Sequence, residues 1–386
     1  TNYFIDTKGI TLCWTLLENG VPIERDTITT LNIAPQSKQL IELNFSRKNL
    51  KAGNEYHVNF SFYDTKKRNY SDGSVEIASE QLALDLFPEP FIEKGISTVS
   101  PLRVERENGL TVTGKDFHIH FDKLTGAMSQ FVYRGSGLLK SPLLPCFWRV
   151  PTDNDEGRNN SYASSWRKAG LDDYKIKPKQ LDFVVLPTGY VQVYTNNLLD
   201  CKEGNILQKA NYTVSPEGEV IIDVVFHVNV DVLSLARVGM ECALPVEWQN
   251  LTWFGKGPHE SYDDRKESAY VGIYKGTVGE QFFSHIMPQE NGNKTDNRWL
   301  EIYDDSGSGI RITGKPLFNF NIQNYSDKDL ERSKIEHTLI RGEKNWLHID
   351  YKQMGLGGDD SWSPRVHKEF LLKNKVYHYT YTLRPL

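Results

Sequence analysis

Apolar and polar residues alternate along much of this chain with a period of two, the pattern of a β-strand with one buried face. Val220, Ile222, Val224, Phe226, Val228 and Val230 share one side, while Asp223, His227, Asn229 and Asp231 punctuate the other. Further strands are predicted around Phe117-Ile119-Phe121, Tyr190-Gln192-Tyr194 and Tyr377-Tyr379-Tyr381, with turn signals such as Thr125-Gly126 and Pro216-Glu217-Gly218 between them. Helical signals are confined to two short stretches. One runs from Ser161 to Ala169, and the other is opened by Ser326 with Asp329 three residues on, a capping-box spacing. The pattern predicts an all-β chain of antiparallel sheets.

Two prolines interrupt the strand pattern in Leu86-Phe87-Pro88-Glu89-Pro90-Phe91, and an unpatterned stretch follows to about Ser100. A domain boundary is therefore expected near residue 95. Residues 1–95, with strands at Ile10-Thr11-Leu12-Cys13-Trp14 and Tyr56-His57-Val58-Asn59-Phe60, suit an immunoglobulin-like β-sandwich. Residues 96–386 show no second linker and no internal repeat, so they read as one large β domain. The chain begins inside an apparent strand, Thr1-Asn2-Tyr3-Phe4-Ile5, without a methionine, which predicts a piece of a longer protein.

Composition adds eight Trp, nineteen Tyr and eighteen Phe, which favour strands and supply flat apolar rings for carbohydrate. Lys and Arg total 45 against 50 Asp and Glu, a net charge of −5, so no basic field is available for nucleic acid or an acidic membrane. Cys13, Cys146, Cys201 and Cys242 form no C-x-x-C pair, which argues against a zinc site and against a disulfide framework. No apolar run approaches the roughly 18 residues of a membrane helix.

The most distinctive segment is Gly357-Gly358-Asp359-Asp360-Ser361-Trp362-Ser363-Pro364, a glycine-opened polar loop that presents an aromatic ring. Trp362 there is either a platform for a sugar face or a plug at the end of a sandwich. Paired acids are the commonest means of hydrolysing a glycosidic bond. Asp153, Asp155, Glu156, Glu260, Asp263, Asp264, Asp359 and Asp360 are placed in loops, where solvation or turn capping explains them, and no catalytic pair emerges. Asp153-Asn154-Asp155-Glu156-Gly157 lacks the glycine spacing and distal glutamate of an EF-hand, so no metal is expected there. His118 and His120 share a strand face without a third ligand, and His259 stands alone. Motifs for a phosphate loop, a hydrolase nucleophile elbow and a zinc protease are absent.

Several unusual motifs, in order, carry a resemblance. Phe147-Trp148-Arg149-Val150-Pro151-Thr152-Asp153-Asn154-Asp155-Glu156-Gly157 and Trp166-Arg167-Lys168-Ala169-Gly170 come first. Trp253-Phe254-Gly255-Lys256-Gly257-Pro258 follows, with Glu260, Tyr262, Asp264 and Arg265, then Pro288-Gln289-Glu290-Asn291-Gly292 and finally Gly357 to Pro364. Together they resemble the last domain of the large bacterial β-galactosidases of glycoside hydrolase family 2. Ile33-Ala34-Pro35-Gln36-Ser37-Lys38-Gln39-Leu40 resembles the sandwich domain just before it.

The resemblance implies a galactose-mutarotase-like supersandwich for residues 96–386. It also implies that the catalytic glutamates and a Mg2+ site, with Na+ a further candidate, lie on a (β/α)₈ barrel this all-β chain lacks. The chain would then be inert alone and bind no cofactor, while the full-length homo-oligomer hydrolyses terminal β-galactosides with retention. Trp362 matches the family's stacking tryptophan, with Asp359, Asp360 and Ser361 supporting its loop. Asp153, Asp155 and Gly157 match a segment that closes over substrate, here shorter before Trp166. Glu260, Tyr262, Asp264 and Arg265 match framework residues. The compartment stays open between bacterial cytoplasm and periplasm. The rival expectations are a stand-alone carbohydrate-binding or aldose-epimerase-like domain and a purely structural interaction domain.

Overall fold

The computed structural model describes residues 4–46, 50–67, 69, 72–85, 101–157, 161–360 and 365–386. Its chain divides into two compact units, one of residues 1–94 with Tyr270–Ile273 and one of residues 95–269 with 274–386. The proline pair expected to mark the boundary lies outside the described residues.

The first unit holds a four-stranded antiparallel sheet in which Val21–Ile28, Ile10–Glu18, Tyr56–Asp64 and Val75–Leu84 lie side by side in that order. Trp14 pairs with Phe60 and Leu16 with Val58 across the central strands. Trp14, Leu16, Tyr56 and Val58 form its core, and Leu43, Phe45 and Leu50 of an irregular segment cover them. Among the described residues, that segment stands where a sandwich would set a second sheet.

In the second unit a five-stranded sheet, residues 103–137, packs on a twelve-stranded one. Phe121 of the former meets Tyr212 of the latter edge to face, with ring centroids 4.9 Å apart. The strand Val220–Asn229 buries Val220, Ile222, Val224, Phe226 and Val228 as its alternation demands. Tyr377, Tyr379 and Tyr381 are likewise buried. In Val191–Asp200 the buried side is Val191, Val193 and Thr195, opposite the tyrosine side.

Among the described residues, three short α-helices decorate this sandwich: α1 (Asp153–Glu156), α2 (Tyr162–Ala169) and α3 (Asp327–Arg332). Ser161 caps α2 by accepting from Ser164 N, and Gly170 ends it in the left-handed region at φ 79°. Ser326 and Asp329 close the expected capping box on α3. Among the described residues, no helix is long and apolar enough to cross a membrane.

Candidate functional site

The segment Thr152–Gly157 folds for a local reason. Thr152 Oγ1 accepts from Asp155 N at 3.2 Å, and the Asp155 carboxylate accepts from Thr152 N at 3.0 Å, closing a capping box around the one turn of α1. Asp155 therefore stands in a helical turn, which corrects the loop expected from sequence for Asp153 and Asp155; Asp153 is exposed at the start of that turn. Gly157 follows it with φ 46°, and residues 158–160 lie outside the described residues.

Asp155 also takes both prongs of Arg149, from Nε at 2.9 Å and Nη2 at 2.7 Å. The two side chains are 0% and 1% exposed, so each neutralises a charge that burial alone would make costly. The remaining donors of Arg149 reach Met354 O at 2.6 Å and Gly355 O at 3.0 Å. A buried ion pair thus anchors the start of the glycine-rich segment. Asn154 Nδ2 donates to Leu356 O at 3.0 Å, and Gly357 N donates to Asp264 Oδ2 at 2.8 Å. Gly357 and Gly358 adopt φ 67° and 93°, and a Cβ on Gly358 would come within 2.9 Å of Asn154 Nδ2. Asp359 pairs with His367. Asp360 is exposed at the end of the described segment, and Ser361 and Trp362 lie outside the described residues.

The other quoted motifs are tied by contacts of their own. Trp148 and Trp166 meet edge to face at 5.9 Å, and Arg167 pairs with Glu156 of α1. Glu260 pairs with Arg265 and accepts from Gly292 N at 2.8 Å. Tyr262 is buried and bonds Arg265 through the backbone.

A second feature was missed by sequence reasoning. The strand Gly309–Gln323 ends in Phe318-Asn319-Phe320-Asn321-Ile322-Gln323, an alternation that normally marks a solvated polar face, yet all six residues are buried. Asn319 lies opposite Asp350 and Asn321 opposite His348; His348 in turn lies opposite Glu241. The polar face of the large sheet is therefore interior. Arg237 Nη2 donates to Glu290 at 3.0 Å, and its Nε lies 3.4 Å from Asp350 Oδ2. Glu290 further accepts from Asn321 at 3.1 Å and Gln353 at 3.2 Å. A methyl group on Gly239 would overlap the Asp350 carboxylate, which explains the glycine.

Burial pushes Asp350 up to about 6, against the opposing pull of Arg237 and His348. Burial likewise raises the Cys146 thiol to about 11. For His348, burial and Arg237 disfavour the charged ring, but Asp327 outweighs them and sets its pKa well above the ordinary value. Glu290 and Asp350 are both occupied by Arg237, so this arrangement fixes backbone and loops; it does not present two free carboxyl groups across a cleft.

The family models and the curated relatives agree on one family. A model described as "Beta galactosidase small chain" matches residues 113–383, and one described as "Beta-galactosidase, domain 4" matches residues 1–85. The β-galactosidase of Priestia megaterium is 32% identical over 391 residues, covering 99% of this chain and 37% of that protein. That of Vibrio cholerae is 32% identical over 378 residues, covering 96% of this chain and 36% of that protein. The chain thus spans little more than a third of the curated relatives it matches. Among solved structures, a galactose 1-epimerase from Lactobacillus acidophilus aligns with a TM-score of 0.38 and 6% identity, over 74% of this chain and 99% of that one. A galactose mutarotase-like protein from Clostridium acetobutylicum gives 0.40 and 11%, over 74% and 98%.

Proposed function

Because this chain belongs to the β-galactosidase small-chain family, we propose that it is the non-barrel, C-terminal part of a β-galactosidase and completes the aglycone side of an active site whose chemistry lies elsewhere. The observation that carries this reading is the anchoring of Gly355–Gly357. Arg149, Asn154 and Asp264 fix the backbone that leads into residues 361–364. Trp362, which follows this backbone in the chain, would offer its ring to the C–H face of a sugar. Asp359, Asp360 and Ser361 would support that loop. Asp153, Asp155 and Gly157 would border the substrate-side segment, with Asp155 as its anchor.

The full-length enzyme would be a retaining hydrolase of glycoside hydrolase family 2, homo-oligomeric, acting on terminal β-galactosides through a covalent galactosyl-enzyme. Its glutamates and any Mg2+ or Na+ would belong to the barrel, leaving the present chain without activity of its own. The side chains here would orient the substrate and exclude water. In an enzyme that joins this chain to a barrel, Trp362→Ala is expected to raise KM for galactosides with a sugar aglycone by roughly tenfold, a loss of about 1.4 kcal/mol of stacking, while kcat changes little. Unchanged KM for such substrates would remove the stacking role.

A further inference from the structure

Beyond the galactosidase reading, one cluster of side chains has a different chemistry. Cys146 lies on the strand Leu144–Cys146, Glu241 on Arg237–Pro245 and His348 on Lys344–Gln353, three neighbours in the large sheet. Glu241 and His348 are direct cross-strand partners, and Cys146 is opposite Gly239, two residues from Glu241. Period-two geometry therefore sets all three on one face. Their ligand atoms all lie within 4.8 Å of one another, the one such group among the described residues.

We propose that Cys146 Sγ, the Glu241 carboxylate and His348 Nδ1 form a zinc site. His348 is only 3% exposed, yet its Nδ1 has no hydrogen-bond partner. That nitrogen sits 3.8 Å from Glu241 Oε2, beyond hydrogen-bond range. Tetrahedral zinc, with bonds of about 2.0–2.2 Å to nitrogen and oxygen, separates two such ligands by roughly 3.4 Å, so this nitrogen–oxygen pair needs to close by only a few tenths of an ångström. On its other side the ring faces Asp327 Oδ1 at 3.5 Å. This carboxylate–imidazole arrangement is the one that directs the free nitrogen of a ligating histidine toward a metal.

The donor set selects the metal class. A thiolate, an imidazole and one carboxylate suit zinc and do not suit magnesium or calcium, which prefer all-oxygen shells. Around the site, Glu290 and Asp350 pair with Arg237, while Glu241 and Asp327 face the imidazole from its two sides. Glu241 keeps a side-chain exposure of 31%, which gives an ion a way in and room for a water as fourth ligand. Zinc bound there would tie three strands to the first residue of α3. The rival occupant is a proton, with the imidazolium of His348 between the two acids.

The test strips the folded chain with a chelator and returns Zn(II), or Co(II) as its spectroscopic stand-in. The expected result is one zinc retained per chain, and a thiolate-to-cobalt charge-transfer band. Cys146→Ser and His348→Asn should abolish both, Cys13→Ser and Cys201→Ser should keep both, and Asp327→Asn should weaken zinc affinity about 10–100-fold. Cooperative melting verifies each variant. Should Cys146→Ser not fold, the band on the unaltered chain and its survival in Cys13→Ser, Cys201→Ser and Cys242→Ser still decide, because only Cys146 is then left to supply the thiolate. A folded chain that takes up no metal, or a band that survives both Cys146→Ser and His348→Asn, would overturn the proposal.

Discussion

Arg149 has its guanidinium enclosed by Asp155 and by two backbone carbonyls, Met354 O and Gly355 O. Removing the cation leaves the buried Asp155 carboxylate without a counter-ion, held only by Thr152 N, so Arg149→Met is expected to destabilise the domain by about 3–5 kcal/mol in urea unfolding. Lys294 tests burial in the opposite sense. Its ammonium is pushed down to about 8 by desolvation, with Glu260 opposing, although Nζ donates to Gly292 O at 3.1 Å. The unfolded chain holds that proton up to about 10.4, so this group's contribution is favourable at high pH and is lost as pH falls through about 8. Lys294→Met should therefore raise the melting temperature more at about pH 7 than at about pH 9. A pH-independent gain would show that Lys294 is not a desolvated cation. Neither pairing was legible in the sequence: Arg149 and Asp155 appear in one motif, but nothing local says that both are buried.

At the scale of elements, legibility followed the range of the forces. Ser326 with Asp329, and Ser161 before α2, are local caps, and both were readable. The turn of α1 was not, because four acid-rich residues carry no periodicity and its burial depends on Arg149. The alternation from Phe318 to Gln323 carries no sign that its amides lie inside, since that depends on Glu290 and on strands far away in sequence. For the same reason, widely spaced cysteines argued against a zinc site, while the sheet places Cys146 beside His348. The Gly355–Asp360 loop offers a direct check at this scale. A Cβ on Gly355 would stand 2.5 Å from Asp264 Oδ2 and 2.9 Å from Val366 Cγ1. Gly355→Ala should displace Asp264 from Gly357 N, cost about 1–3 kcal/mol and speed amide exchange at Gly357. Unaltered exchange there would mean that Asp264 does not hold the loop.

For the whole molecule, alternating strands and the absence of βα repeats made an all-β chain legible, and ordered motifs carried the family. Arg149, Asp264 and Gly357 come from three distant motifs, yet the structure joins them at one loop, so these motifs together encode its support. The proposed division of labour, with chemistry on a barrel and substrate shaping here, is tested most directly by chromogenic β-galactoside hydrolysis. The assay compares this chain, shown to be folded by a cooperative melt, with the same chain joined to the portion that precedes the match in its relatives. The account expects turnover only in the joined protein; turnover by the folded chain alone would contradict it and would place a catalytic pair among the acids assigned here to structure.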